Sequence, residues 1–296
     1  MNPVILYSIV ALGVLAGGSA IILYLIANKF KVDEDPRIGD VTEMLPNANC
    51  GACGFPGCSG FAEALVKGSD NGDISDLYCP VGGNETMSTV GEFLGMSVEE
   101  SAPTTAVVRC NGTRQKSVPK TDYDGPSKCA VAHTLFAGEG GCPHGCLGLG
   151  DCVAACEFDA IYMDEETGLP VVIPEKCTSC GACVKACPRD IIEIRPRGRK
   201  DRRVWVACRN EEKAGVAIKN CKAACIGCGK CFDVCPPKVS AITVENNLAF
   251  IDSEKCIACG LCVAVCPTNA ILATFEPPKP KPKPKPEEKK SAEVAK

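Results

Sequence analysis

From Val4 to Ala27 the chain reads VILYSIVALGVLAGGSAIILYLIA without a charged position. A helix of that length reaches about 36 Å at ~1.5 Å per residue, more than the roughly 30 Å of a bilayer core. The pattern predicts a single N-terminal transmembrane helix. Lys29 and Lys31 follow the run and no basic side chain precedes it, so the positive-inside rule puts the N-terminus outside and everything after Ala27 in the cytoplasm. Gly13 and Gly17, with Gly18 and Ser19 beside them, would give that helix a small-residue face for a neighbouring helix.

Beyond it the apolar period changes. Phe61, Ala62, Leu65 and Val66 recur at helical spacing. IYMDEETGLPVVIPEKC and ITVENNLAFIDSEKC place β-branched residues on both sides of polar turns and predict strand, turn, strand. IIEIRPRGRKDRRVWVAC reads as a third hairpin, with Arg195, Arg197, Arg199, Lys200, Arg202 and Arg203 on a basic tip. Such a tip could steer an acidic partner, or be an ordinary solvated turn. The tail PPKPKPKPKPEEKKSAEVAK predicts a solvated polyproline-type extension.

Composition changes the picture through one residue type: 24 of 296 residues are cysteine. A chain this long, facing a compartment that keeps thiols reduced, does not read as a disulfide scaffold, so the cysteines should be metal ligands or free thiols. The net charge of -4 gives no global argument for nucleic acid, and the basic run lacks interleaved aromatics.

Three runs share the spacing C-x2-C-x2-C-x3-C-P: Cys177, Cys180, Cys183, Cys187; Cys225, Cys228, Cys231, Cys235; and Cys256, Cys259, Cys262, Cys266. In this ferredoxin run three close thiolates hold one 4Fe-4S cluster and the fourth ligates its neighbour. Structural zinc usually takes two ligands from each of two separated knuckles instead. Crossing pairs the last two runs, giving Cys225, Cys228, Cys231 with Cys266 and Cys256, Cys259, Cys262 with Cys235. The run at 177 then requires CPHGCLGLGDCVAAC as its partner, so that Cys142, Cys146 and Cys152 join Cys187, and Cys177, Cys180 and Cys183 join Cys156. Nearer the N-terminus, Cys50, Cys53 and Cys58 with Cys79 predict a self-contained cluster.

These 20 cysteines make five 4Fe-4S sites. Cys110, Cys129, Cys208 and Cys221 remain, and two readings stand for them: a sixth cluster, or four reduced thiols. Cys110 ends TAVVRC and Cys208 ends VWVAC, and pairing of a first with a last strand would set them side by side. Of the two histidines, His144 lies between Cys142 and Cys146 and is expected beside a cluster or on the surface, not among the ligands; His133 has no assigned role.

The fold expected is α+β: a transmembrane anchor (1–28), a small 4Fe-4S domain (29–100), two tandem ferredoxin-like two-cluster units (101–212 and 213–276) and a disordered Pro/Lys tail (277–296). No Ser-His-Asp set, phosphate-binding loop or dinucleotide fingerprint is present, so no bond-making active site and no catalytic residue is expected in this chain.

The motifs LPNANCGACGFPGCSGFAEAL, CPVGG and CPHGCLGLGDCVAACEFDAI, with an N-terminal apolar helix, resemble the RnfB family, the B subunits of Rnf ion-translocating ferredoxin:NAD oxidoreductase complexes, over residues 1 to about 275. The resemblance implies a component of an oxidoreductase in the cytoplasmic (inner) membrane. It would take electrons from soluble reduced ferredoxin and relay them toward membrane subunits and a flavin/NAD subunit, with transport of Na⁺ or H⁺. Two rival readings are an iron-sulfur subunit of a membrane hydrogenase or other ferredoxin-linked reductase, and a structural zinc-thiolate tether.

Overall fold

Helix α1 (Pro3–Lys29) occupies the segment expected to cross a bilayer. The structure, a computed structural model, describes residues 3–29, 35–135 and 138–279, so the expected tail lies outside the described residues from 280 onward. Among the described residues no helix is long and apolar enough to cross a membrane. This corrects the expected transmembrane anchor and leaves the single-pass topology without a spanning helix to support it. Gly13, Gly17, Gly18 and Ser19 place four small residues in the middle of that helix and dilute its apolar surface.

Three helices build the next unit. Helix α2 (Pro36–Met44) starts with Pro36 in its first turn, and the Asp35 side chain accepts the Arg37 N–H at 2.9 Å, satisfying a donor that the helix leaves unpaired. Helices α3 (Cys58–Asn71) and α4 (Gly83–Leu94) each end on a left-handed glycine, Gly72 and Gly95. Val41, Phe61, Leu65, Met87 and Val90 form a fully buried core between them.

The ferredoxin-type cysteine runs lie in loops and short helices between the strands of four two-stranded antiparallel sheets. In the first unit β1 (Thr104–Val108) is followed by α5 (Cys129–Leu135), α6 (Asp151–Ala154), β2 (Ile161–Met163), β3 (Pro170–Val172), α7 (Ala182–Ala186) and β4 (Ile192–Pro196). The β2–β3 pair is the expected hairpin, and β1 pairs with β4, Thr105 facing Arg195. In the second, β5 (Val204–Val206) is followed by α8 (Ala214–Asn220), α9 (Lys230–Val234), β6 (Ile242–Glu245), β7 (Leu248–Ile251), α10 (Leu261–Val265) and β8 (Ile271–Ala273). Here β6 pairs with β7 and β5 with β8.

These pairings correct two expectations. Residues 191–208 are not a hairpin: β4 closes the first unit and β5 opens the second, joined by a short turn that includes a 3-10 segment, Arg199–Asp201. The second unit therefore takes its edge strand from 204–206, upstream of the expected boundary at 213. The strands leading to Cys110 and Cys208 are likewise not paired with each other, because each is held by the last strand of its own unit.

The basic tip is largely consumed inside the fold. Arg195 is buried, bonded to Glu193, and stands 5.4 Å from the Phe250 ring centroid. Arg197 donates to Asp201 at 2.8 Å, Arg203 donates to the same carboxylate at 3.3 Å, and Arg202 lies 3.8 Å over the Phe275 ring. Arg199, Lys200 and Arg202 remain exposed.

The first unit has a small buried core, Ala106, Cys152, Ile161, Ile191 and Ile192. Around β5–β8 the buried set is mostly alanine and cysteine: Ala217, Ala223, Ala224, Ala249 and Ala270 with Cys208, Cys221, Cys225, Cys231 and Cys262. Such side chains bury too little apolar area to fix the fold alone.

Candidate iron-sulfur sites

Each ferredoxin-type run turns by the same local device. Gly181, Gly229 and Gly260 are left-handed, at φ 76°, 74° and 78°, and stand immediately before α7, α9 and α10. The turn sends the first two cysteines of a run along a loop and sets the third on the first turn of a short helix. Gly227 is the tightest position: at φ +61° a Cβ there would come 2.8 Å from the backbone of Asn247, so only glycine fits.

The thiols gather in sets of four. Cys50, Cys53, Cys58 and Cys79 line one cavity, of about 320 Å³. Cys156, Cys177, Cys180 and Cys183 line a second, and Cys225, Cys228, Cys231 and Cys266 a third, each of about 350 Å³. Burial and then the charges of Cys259 and Cys235 raise Cys256, and burial followed by the charges of Cys256 and Cys259 pushes Cys262 up to about 12. In these four sets the structure brings together the cysteines that spacing and crossing predict.

The remaining eight differ from the expected grouping. Cys129, Cys146, Cys152 and Cys187 line one cavity of about 350 Å³. Cys110, Cys142, Cys208 and Cys221 line another, of about 510 Å³, which Cys146 also borders, beside His144 and Asn210. Cys129 thus takes the place expected for Cys142, and Cys142 joins the three leftover thiols. The segment between β1 and Cys142 causes the exchange: it folds back on the second unit, with Val118 N–H donating to Asn220 O at 3.0 Å and Gly141 N–H to Val118 O at 2.8 Å. That sets Cys142 among Cys110, Cys208 and Cys221, while Cys129, at the start of α5, joins Cys146, Cys152 and Cys187.

Backbone amides point at the sulfurs. Gly82 N–H donates to Cys79 Sγ at 3.3 Å, Ala160 N–H to Cys156 Sγ at 3.4 Å, Ala106 N–H to Cys177 Sγ at 3.5 Å, Ala249 N–H to Cys225 Sγ at 3.5 Å, and Ala270 N–H to Cys266 Sγ at 3.3 Å. Donors aimed at sulfur favour the thiolate, the form that binds metal. Burial acts the other way, raising Cys152 to about 12 and Cys183 and Cys231 to about 11. Four such thiolates need a compensating positive centre.

The donor sets fit an iron-sulfur core: each ferredoxin-type run places three thiolates round one site and sends its fourth cysteine to a neighbouring set, where structural zinc usually takes pairs from separated knuckles. The walls also offer donors: Thr178 Oγ1 and Ser179 Oγ are buried in the Cys177 cavity with no hydrogen-bond partner among the described residues, where inorganic sulfide would accept from them.

Arg189 ties two sets together. Its Nε donates to His133 Nδ1 at 3.1 Å and its Nη1 to the carbonyls of Cys142 and Pro143. Burial lowers its pKa, while the nearby thiolates of Cys142, Cys146, Cys187 and Cys110 oppose that shift. The guanidinium is therefore a positive charge shared by the Cys187 and Cys110 sets. No spacing rule would have picked it out, since its partners are non-local.

Comparison with known proteins agrees with these sites. A family described as "Putative Fe-S cluster" matches residues 45–73. Two families described as "4Fe-4S dicluster domain" match residues 217–273 in one case, and 141–191 and 176–239 in the other. The chain is 43% identical over 255 residues, 86% of its own length and 93% of the relative's, to the B subunit of the ion-translocating oxidoreductase complex of Methanosarcina acetivorans. It is 43% identical to the B subunit of the Na(+)-translocating ferredoxin:NAD(+) oxidoreductase complex of Acetobacterium woodii, covering 86% of this chain and 74% of that one. The B subunit of the proton-translocating ferredoxin:NAD(+) oxidoreductase complex of Clostridium ljungdahlii is 38% identical, with 85% of each chain covered.

Proposed function

The chain belongs to the family of B subunits of ion-translocating ferredoxin:NAD oxidoreductase complexes, and from that premise we propose that it is the iron-sulfur relay through which electrons of reduced ferredoxin enter such a complex on their way to NAD. It carries several 4Fe-4S clusters and is one component of an oxidoreductase. The ligand sets we assign are Cys50, Cys53, Cys58, Cys79; Cys129, Cys146, Cys152, Cys187; Cys156, Cys177, Cys180, Cys183; Cys225, Cys228, Cys231, Cys266; and Cys235, Cys256, Cys259, Cys262. When bound, such clusters supply one-electron transfer.

The observation that carries this reading is the contact between successive sets. Across sets, after burial, the charge of Cys183 raises Cys152 and that of Cys231 raises Cys262. Neighbouring sets lie within electrostatic reach, as stepwise electron transfer requires. The protein's own part is to hold the spacing, exclude water with Ala- and Ile-lined walls, and direct N–H groups at the sulfurs.

Soluble ferredoxin as donor, the membrane subunits and flavin/NAD subunit as onward partners, and Na⁺ or H⁺ as the coupled ion all belong to this proposal. So does location at the cytoplasmic face of the membrane, held there by the assembly. Leu12, Val14, Leu15, Ile21 and Leu23 of α1 are exposed, an apolar surface of the kind that other subunits cover. Anaerobic copurification with the neighbouring subunits tests the reading. Ferredoxin-dependent NAD reduction by the isolated complex, lost when Cys180 and Cys228 are replaced, is expected. Copurification with a hydrogenase instead would overturn it.

A further inference from the structure

Cys110 and Cys208 occupy equivalent places in the two units, each two residues beyond the strand that pairs with its unit's last strand. The intervening residue also behaves alike in both, Arg109 N–H donating to Ile191 O at 2.6 Å and Ala207 N–H to Ala270 O at 2.7 Å. The two units thus present one cysteine each to a shared seam. Cys142 reaches it on the loop that folds back from the first unit, and Cys221 from the end of α8.

This seam has the same construction as the five sites above. Cys146 N–H donates to Cys110 Sγ at 3.4 Å, Cys225 N–H to Cys208 Sγ at 3.3 Å, and Asn210 N–H to Cys208 Sγ at 3.5 Å. Asn210 is wholly buried and its Nδ2 donates to Cys142 Sγ at 3.5 Å. Burial pushes Cys208 up to about 11 and raises Cys110 and Cys221. A Cβ on Gly112 would stand 3.3 Å from Cys221 Sγ and 3.5 Å from Cys110 Sγ, so the glycine keeps one wall of the cradle open.

We propose that Cys110, Cys142, Cys208 and Cys221 hold a sixth 4Fe-4S cluster, which bridges the two ferredoxin-like units and makes their clusters one continuous path. The inference rests on the relay reading above. The donors to this set come from the neighbouring sets themselves: Cys146 belongs to the Cys187 set on one side and Cys225 to the Cys266 set on the other. Five sets then stand in a line, from Cys156/Cys177/Cys180/Cys183 through the seam to Cys235/Cys256/Cys259/Cys262. At the seam one electron leaves the reduced set on one side, oxidising it, and arrives at the oxidised set on the other. No bond is made or broken, and ferredoxin and NAD are the terminal reductant and oxidant.

The test is iron, acid-labile sulfide and zinc per chain in the anaerobically reconstituted full-length protein, with spin counting by electron paramagnetic resonance after full reduction. The wild type is expected to hold about 24 irons and no zinc. C208A is expected to hold about 20 and to lose one spin in six, with the signals of both flanking sets simplified. G112V, which leaves every cysteine in place, is expected to lose the same four irons, and it decides the matter if C208A does not fold. A wild type with about 20 irons, or with 20 irons and one zinc, overturns the sixth cluster, as does an unchanged iron count in the variants. A wild type without iron would instead overturn the relay reading.

Discussion

The indole N–H of Trp205 donates to the carbonyl oxygen of Val108 at 3.0 Å, so the outer strand of the second unit is pinned to the outer strand of the first. Arg109 adds a bond from the first unit to Cys208 O at 3.5 Å, and Asn111 Nδ2 adds one to Asn269 O at 2.9 Å. Trp205→Phe keeps an aromatic ring and removes the donor, leaving the Val108 carbonyl without that bond. The expected loss is about 1–2 kcal/mol, read as an earlier unfolding midpoint under anaerobic denaturation with iron content unchanged.

Cys129 provides the sharpest test of the ligand sets. Cys129→Ala is expected to lower the iron count by about four and to abolish the signal of the set completed by Cys187, sparing the Cys177 set. Retention of that signal would return Cys142 to the position that spacing alone assigns it.

The source of that difference lies in how far each motif reaches. The C-x2-C-x2-C-x3-C runs are local, each fitted to one turn and one short helix, so Cys177, Cys225 and Cys256 announce their sites from the chain alone. The exchange of Cys142 for Cys129 depends on Val118 meeting Asn220, a contact between segments far apart in sequence. Residues 191–208 mislead for the opposite reason: β-branched residues flank a polar tip as in a hairpin, yet both strands find better partners, β1 and β8, at long range. The N-terminal run was legible as a helix, Pro3–Lys29, but not as a span.

Gly227 and Gly181 separate backbone strain from crowding. Both are left-handed, but a Cβ on Gly181 meets nothing within 4 Å, whereas one on Gly227 meets the Asn247 backbone at 2.8 Å. Gly181→Ala should cost about 1 kcal/mol and keep its iron. Gly227→Ala should displace the loop and lose the cluster of Cys225, Cys228 and Cys231, as iron analysis of the two variants would show.

Arg189 bears on potential more than on binding. A positive charge beside a cluster favours its reduced, more negative state, so Arg189→Gln is expected to lower the potential of the Cys187 set by an amount on the order of 50 mV. Arg189→Lys should recover most of the shift. A redox titration monitored by electron paramagnetic resonance distinguishes this from a merely structural role, which would cost iron without moving the potential of what remains.

Iron removal should divide the protein. The helical unit of α2, α3 and α4 has its own core of Val41, Phe61, Leu65, Met87 and Val90, while the first ferredoxin-like unit has only Ala106, Cys152, Ile161, Ile191 and Ile192 fully buried and the second relies mostly on alanine and cysteine. Chelation under reducing conditions is expected to make residues 104–273 sensitive to protease and to leave 36–94 protected. Uniform protection, or uniform digestion, would contradict this division.

The grouping of thiols also sets a timetable for biogenesis. Ordered by the residue that completes each set, the sites close at Cys79, Cys183, Cys187, Cys221, Cys262 and Cys266. β1 can meet β4 once residue 196 has left the ribosome, but β5 must wait for β8 at 271–273. Cofactor delivery therefore meets a nascent chain whose pockets mature from the N-terminus onward. A pause once residue 208 has left the ribosome would leave the seam unfinished, with three of its four thiols already exposed to oxygen.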